Sequence, residues 1–222
     1  MVSRKNVSSC SGVLTTWPLP GLVADKIKAP CSDNANVVAK KKLTANNFSS
    51  MIAINNGGVF EMKPLPRDVQ SAPIYGMLAI DVNNDGYDDI VGIGNNRYNR
   101  VQLGPDDALN GFVLINKAGV LTYSDGQQNG FYVPNDGRSL VGLPIGKKLS
   151  VIASQNNSMA KAFKPKSDIE CLNIPKTAVS ASVTLGNGQT KRVYIGYGTG
   201  YLSGSLPMVL KNSSIKSVIF YN

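Results

Sequence analysis

Asp81-Val82-Asn83-Asn84-Asp85-Gly86-Tyr87-Asp88-Asp89 is the stretch on which the reading of this chain turns. With Asp81 as position 1, oxygen-bearing side chains stand at positions 1, 3, 5 and 9, and glycine at position 6. Calcium takes ~6–8 hard oxygen ligands. A tight loop with ligands at alternate positions turns them inward, and Gly86 permits the sharp bend that brings in the Tyr87 carbonyl. Position 12 is Gly92 rather than the bidentate Glu of a helix–loop–helix calcium hand, and Ile90-Val91-Gly92-Ile93 reads as strand. The loop is therefore expected inside a β-hairpin. Its ligands would be Asp81, Asn83, Asp85, the Tyr87 carbonyl and Asp89, with Asp88 pointing away. The competing reading is a solvated Asp-Gly hairpin turn; four oxygens in register favour calcium over it. The ion's expected role is structural, neutralising carboxylates whose mutual repulsion would open the hairpin.

Outward from this loop, helical periodicity is nearly absent. Short apolar or alternating runs recur between turn signals, which predicts an all-β chain. Strands are expected at Ser50–Asn55, Met77–Ile80, Asp89–Gly94, Gly111–Ile115, Leu149–Ser154, Ala181–Leu185, Lys191–Ile195 and Ser217–Tyr221. Asn56-Gly57-Gly58, Asp85-Gly86, Asn110-Gly111, Asn129-Gly130, Asp136-Gly137 and Asn187-Gly188 punctuate them with residues that favour positive-φ turns. The clearest hairpin runs from Ser182–Leu185 through Gly186–Gln189 to Lys191–Ile195. Met51–Phe60 with Ala79–Asn96 aligns, at a spacing of 61 residues, on Phe112–Leu121 with Val141–Asn157, with an insertion at 97–110. The second unit has Leu143-Pro144-Ile145-Gly146-Lys147-Lys148 where the first has its acids, and two lysines repel a cation; one metal site is expected. A domain boundary is expected between 164 and 178, at Lys164-Pro165-Lys166-Ser167-Asp168 and Pro175-Lys176.

The chain has 222 residues, 42% of them apolar and 17% charged, the composition of a folded globular protein rather than a disordered tail. Its net charge of +9 is unevenly spread: residues 1–50 carry 7 basic and 2 acidic side chains, 51–145 carry 6 and 10, and 146–222 carry 10 and 2. The lysines are not interleaved with aromatics as a nucleic-acid platform needs, and the run Lys40-Lys41-Lys42 reads as a solvated segment. An acidic centre between basic flanks suits a cation better than a phosphate. Cys10, Cys31 and Cys171 fit no metal spacing. Cys10 and Cys31 either close a loop by a disulfide, contributing roughly 3 kcal/mol, or stay reduced; the sequence leaves both open. No apolar run reaches the ~18 residues of a membrane span, and Met1-Val2-Ser3-Arg4-Lys5-Asn6 leads into no signal-peptide core.

The absence of histidine excludes Ser-His-Asp triads, His-ligated zinc and imidazole acid–base catalysis. No serine sits in a nucleophile elbow. Asp106-Asp107 reads as a turn cap and Asp136-Gly137 as a turn. Gly196-Tyr197-Gly198-Thr199-Gly200 precedes no helix, so it reads as a turn rather than a phosphate cradle. Tyr194, Tyr197 and Tyr201 could form an aromatic surface for sugar or protein, although strand packing is the commoner role for such tyrosines. No catalytic residues are assigned and the chain is not expected to be an enzyme.

Asn55-Asn56-Gly57-Gly58-Val59-Phe60 resembles the start of FG-GAP/VCBS repeats. Ala79-Ile80, the Asp81–Asp89 loop and Ile90-Val91 resemble their calcium loop. The tail, with Gly198-Thr199-Gly200-Tyr201-Leu202-Ser203-Gly204-Ser205, resembles the ASPIC/UnbV domain that commonly follows such repeats. The resemblance covers roughly residues 43–222. It implies a partial β-propeller of two to three FG-GAP-like blades at 43–165, of the integrin-α-like kind. A small β-sandwich-like ASPIC/UnbV domain follows at 166–222. Residues 1–42 are left as an N-terminal segment open to membership of a preceding blade. Closed propellers have ~4–8 blades, so the expectation is the C-terminal part of a longer protein or an unusually short descendant. The implied function is a calcium-stabilised binding or scaffold module that contacts protein or glycan, outside the cell or at a periplasmic or outer-membrane surface. The other partner considered is the rest of its own chain; nucleic acid is not expected. The alternative is an accessory or catalytic part of an enzyme acting on extracellular polysaccharide.

Overall fold

Two-residue turns with left-handed backbone set the hairpins of this chain. Gly57 and Gly58 have φ of 67° and 99°, and Ala118 and Gly119 have 51° and 92°. Paired positive φ values match the right-handed twist of the strands they join. Asn55 Oδ1 accepts the Gly58 N–H at 2.7 Å, and Asn116 Oδ1 accepts the Gly119 N–H at 2.8 Å, so the same side-chain brace recurs. The computed structural model describes residues 46–98, 104–198 and 206–222. The N-terminal segment 1–42, with Cys10 and Cys31, lies outside them, as does the tail motif from Thr199 to Ser205.

Strands β1 (Met51–Asn56) and β2 (Val59–Pro64) form an antiparallel hairpin, followed by a 3₁₀ turn at Arg67–Gln70. Then come β3 (Ile74–Ile80), β4 (Asp89–Gly94), β5 (Phe112–Lys117) and β6 (Val120–Asp125), an antiparallel meander in the order β3-β4-β5-β6. Helix α1 (Gly126–Asn129) is capped by Asp125, whose side chain accepts the Gln127 N–H. It leads to β7 (Gly137–Ile145), β8 (Lys148–Gln155) and β9 (Ser158–Phe163). Strand β10 (Glu170–Leu172) touches β8 through Glu170 and Lys148 and pairs along its length with β13 (Val209–Lys211). The last sheet has the order β12-β11-β14, from β11 (Ser180–Leu185), β12 (Thr190–Tyr194) and β14 (Ile215–Tyr221).

Among the described residues the chain is all-β in antiparallel sheets, none of them closed. All eight expected strands are present with ends shifted by a few residues, and the expected hairpin over 182–195 is β11–β12. Met51 to Gly94 and Phe112 to Gln155 each run hairpin, short helical turn, strand, strand.

The larger core packs Ile93, Val133, Leu140, Val151 and Ala153, all at most 4% exposed. Strand β4 is its spine because the Ile-Val-Gly-Ile-Gly that follows Asp89 puts apolar or hydrogen-only groups on both faces. Ile169 joins the same core, and Cys171, Met208 and Leu210 pack against it. The sheet and core thus run across position 166, where the sequence placed a domain boundary, and Phe48–Asn222 is one compact unit. Sheet β12-β11-β14 packs its inner face, Ala181, Val183 and Val218, on Val209.

Candidate metal centre

The eight residues Asp81–Asp88 join β3 to β4, whereas only Gly146 and Lys147 join β7 to β8. The difference lies in the Asp/Asn-rich insertion itself. Short polar side chains bond their own backbone and tolerate left-handed conformations: Asn84 has φ of 63° and Gly86 of 92°. The left-handed torsion selects glycine at position 86, and a β-carbon there would also stand in tight contact, 3.2 Å, with Leu185 Cδ1.

Within the loop, Asp81 Oδ1 accepts the Asp85 N–H at 3.1 Å, and Asp81 Oδ2 accepts the Gly86 N–H at 2.9 Å. Asn83 Oδ1 also accepts from Asp85 N at 3.1 Å, and Asn83 Nδ2 donates to Asp85 Oδ2 at 2.9 Å. Tyr87 enters through its N–H, which donates to Asp85 Oδ1 at 2.9 Å. Asp81, Asn83, Asp85 and Tyr87 are therefore brought together in one hydrogen-bonded loop. Asp89 starts β4, is fully buried, and takes the Val82 N–H at 2.9 Å and the Asn116 N–H at 2.8 Å. Burial pushes the Asp89 carboxyl above its ordinary range; the Asn116 and Val82 N–H groups oppose this, and the charges of Asp85 and Asp81 add to it. Asp88 points away, as expected, with Oδ1 2.7 Å from Lys191 Nζ.

Three partners of the loop were not legible in the sequence. Asn212 Nδ2 and Ser214 Oγ donate to Asp81 Oδ2 at 2.8 and 3.1 Å across 131 and 133 positions, and no local pattern announces such a contact. Asn116 Nδ2 donates to the Asp88 carbonyl at 3.1 Å; its only signal was its place in the repeated Asn-x-x-Gly turn. The carboxylates of Asp81 and Asp89 are almost wholly inaccessible, and among the described residues no cationic side chain pairs with Asp81, Asp85 or Asp89. Among the same residues, no three acidic side chains converge as a ready metal cluster. Asn84 Oδ1 is buried and has no hydrogen-bond partner there. The donor set, hard oxygens with excess negative charge and one spare buried oxygen, fits a hard divalent cation by its chemistry.

Asp136, expected in a turn, is instead fully buried. Its Oδ1 accepts the Arg97 N–H at 2.7 Å and its Oδ2 lies 3.1 Å from Arg138 Nη2. Asp106 bridges to Asn96 and Asp107 pairs with Arg97 at 3.1 Å. Tyr194 and Tyr197 are exposed rather than packed; Tyr201 lies outside the described residues. No protein-family model and no curated protein matches the chain.

Proposed function

We propose that this chain is a calcium-stabilised binding or scaffold module of the cell surface or the extracellular space, contacting protein or glycan. Its blades would be FG-GAP-like and its C-terminal part ASPIC/UnbV-like. The observation that carries the reading is the charge of the 81–89 loop: two buried aspartates and a third beside them, with no cationic side chain on any of them among the described residues. Buried charges are otherwise paired or bound to metal. Calcium would supply countercharge and oxygen coordination. Asp81, Asn83, Asp85, the Tyr87 carbonyl and Asp89 would hold it, with Asn84 Oδ1 as a candidate the sequence did not suggest.

The chain's own residues do the remaining work. Gly86 allows the bend, Asn212 and Ser214 fix the Asp81 carboxylate, and Asn116 fixes Asp89. Lys191 draws Asp88 off to the side. The antiparallel meander β3–β6 has the four-stranded form of a propeller blade, and the repeated order of elements supports a bladed arrangement. No catalytic role is assigned. Extracellular calcium modules bind with dissociation constants of ~10⁻⁴–10⁻³ M, which suits a site with this many protein hydrogen bonds on its oxygens.

The test is thermal unfolding with calcium, magnesium or chelator. Free calcium at ~100 times its dissociation constant stabilises by about 2.7 kcal/mol. The melting temperature should rise with calcium in the unaltered chain, and Asp85→Ala should abolish the rise. No calcium response in the unaltered chain, or a full response in Asp85→Ala, would overturn the assignment.

A further inference from the structure

The outer face of sheet β12-β11-β14 is built as a trough. Facing residues form cross-strand rows: Tyr194, Ser180 and Tyr221; Arg192, Ser182 and Ile219; Thr190, Thr184 and Ser217. Every central residue is a small hydroxyl, while the first two rows carry large side chains on both edge strands. The walls therefore stand two strand spacings apart, about 9–10 Å, above a floor of hydroxyls. The Arg192 guanidinium lies across this floor. Its Nη2 donates to Ser180 Oγ at 3.1 Å, and its Cζ is 5.9 Å from the Tyr194 ring centroid and 5.7 Å from that of Tyr221. Ser180 is 1% exposed, whereas Tyr194 is 78% and Tyr221 44% exposed. Arg192 has no carboxylate partner among the described residues. The two acidic side chains of residues 146–222, Asp168 and Glu170, both pair with Lys148 away from this face.

We propose that this trough binds an acidic saccharide, with Arg192 taking the carboxylate or sulfate and Tyr194 and Tyr221 stacking on the sugar rings. A planar guanidinium with free N–H donors recognises such anions bidentately. Exposed tyrosines offer rigid apolar faces at low entropic cost, and the partly exposed hydroxyls of Ser182 and Thr184 match sugar hydroxyls. A nucleic acid fits less well. It carries a phosphate at every nucleotide and draws affinity from several cations, but Arg192 is the single cation in these rows and Lys191 is turned to the other face, onto Asp88. An added peptide strand would use the sheet edge rather than its face.

This inference rests on the binding-module reading and names its ligand class, but it does not depend on the calcium site. The experiment is a nuclear magnetic resonance or calorimetric titration of the full chain in calcium. The probes are trigalacturonate for carboxylate, a chondroitin sulfate tetrasaccharide for sulfate, cellotetraose for a neutral sugar and a short oligodeoxythymidylate. At least one acidic sugar should bind, with shifts confined to the amides of β11, β12 and β14. Arg192→Gln should weaken it about tenfold, the loss of one charge-assisted hydrogen bond, read well below its melting transition because the variant also strips the buried Ser180 Oγ of its donor; Tyr194→Ala should weaken it several-fold with unchanged melting. Sugar binding that survives Arg192→Gln places the ligand elsewhere, overturning the trough but keeping the module. A preference for the oligonucleotide, for cellotetraose, or no binding by any probe overturns the trough outright.

Discussion

Asp136 shows what a single residue does here that its neighbours in sequence do not reveal. Asp-Gly is a turn dipeptide, so the local reading is a turn. In the fold, Gly137 opens β7 and Asp136 is sealed beneath Arg97 and Arg138. Replacing it with alanine strands the Arg97 N–H and removes the carboxylate partner of a partly buried guanidinium, a loss of about 3 kcal/mol. Asp136→Ala should therefore lower the urea midpoint well beyond any change in slope. Cys171 invites a pH test. Burial pushes its thiol pKa up, and because only the thiolate reacts, the native chain holds less reactive form at any mildly alkaline pH than the unfolded chain. With Cys10 and Cys31 changed to Ser, alkylation of Cys171 in the native chain should be slower than in urea and reach half its maximal rate at a higher pH. Equal profiles would refute the burial argument. The loop aspartates were legible because their spacing is local; Asn212, Ser214 and the burial of Asp136 were not, because tertiary packing makes them.

At the scale of elements, strands with apolar periodicity were legible and their polar hairpin partners were less so. Val-Phe-Glu-Met-Lys-Pro in β2 is exposed at every position, and β9 exposes Met159 at 85%, so neither shows the alternation of a half-buried strand. The glycines separate two physical demands. Gly119 has φ of 92° with open space around its absent β-carbon, so alanine there meets torsional strain alone, about 1–2 kcal/mol. Gly92 pairs with Phe112 across β4–β5, and a β-carbon would sit 2.2 Å from Phe112 Cζ. Phe112 is fully buried and cannot swing clear. Gly92→Ala should cost more than Gly119→Ala, at the upper end of the ~1–3 kcal/mol of overpacking or beyond. Paired denaturation curves decide this, and equal losses would mean that Phe112 repacks freely.

Across the whole of Phe48–Asn222, the question is whether residues 166–222 fold by themselves. The shift to basic, proline-bearing sequence near 164–178 suggests that they do, and composition can show no more than that. The packing opposes it. Ile169 is 3% exposed in the core built on β4, β7 and β8, and Cys171, Met208 and Leu210 lean on that core from the same side. Strand β10 holds β8 while β13 holds β10, and Asn212 and Ser214 reach the buried Asp81 carboxylate. Cutting the chain at 166 would bare these apolar groups, each worth about 1.5–3 kcal/mol when fully buried. A core this small rarely supplies more than ~3–5 kcal/mol in total, so the loss exceeds what the three-stranded sheet can offset. Residues 166–222 produced alone should show no cooperative thermal transition and rapid amide exchange. The same residues mixed with 48–165 should recover protection in β10 and β13 first, because those strands need β8 as their template. A cooperative transition in the isolated fragment would make the shared core a docking contact between two folded bodies.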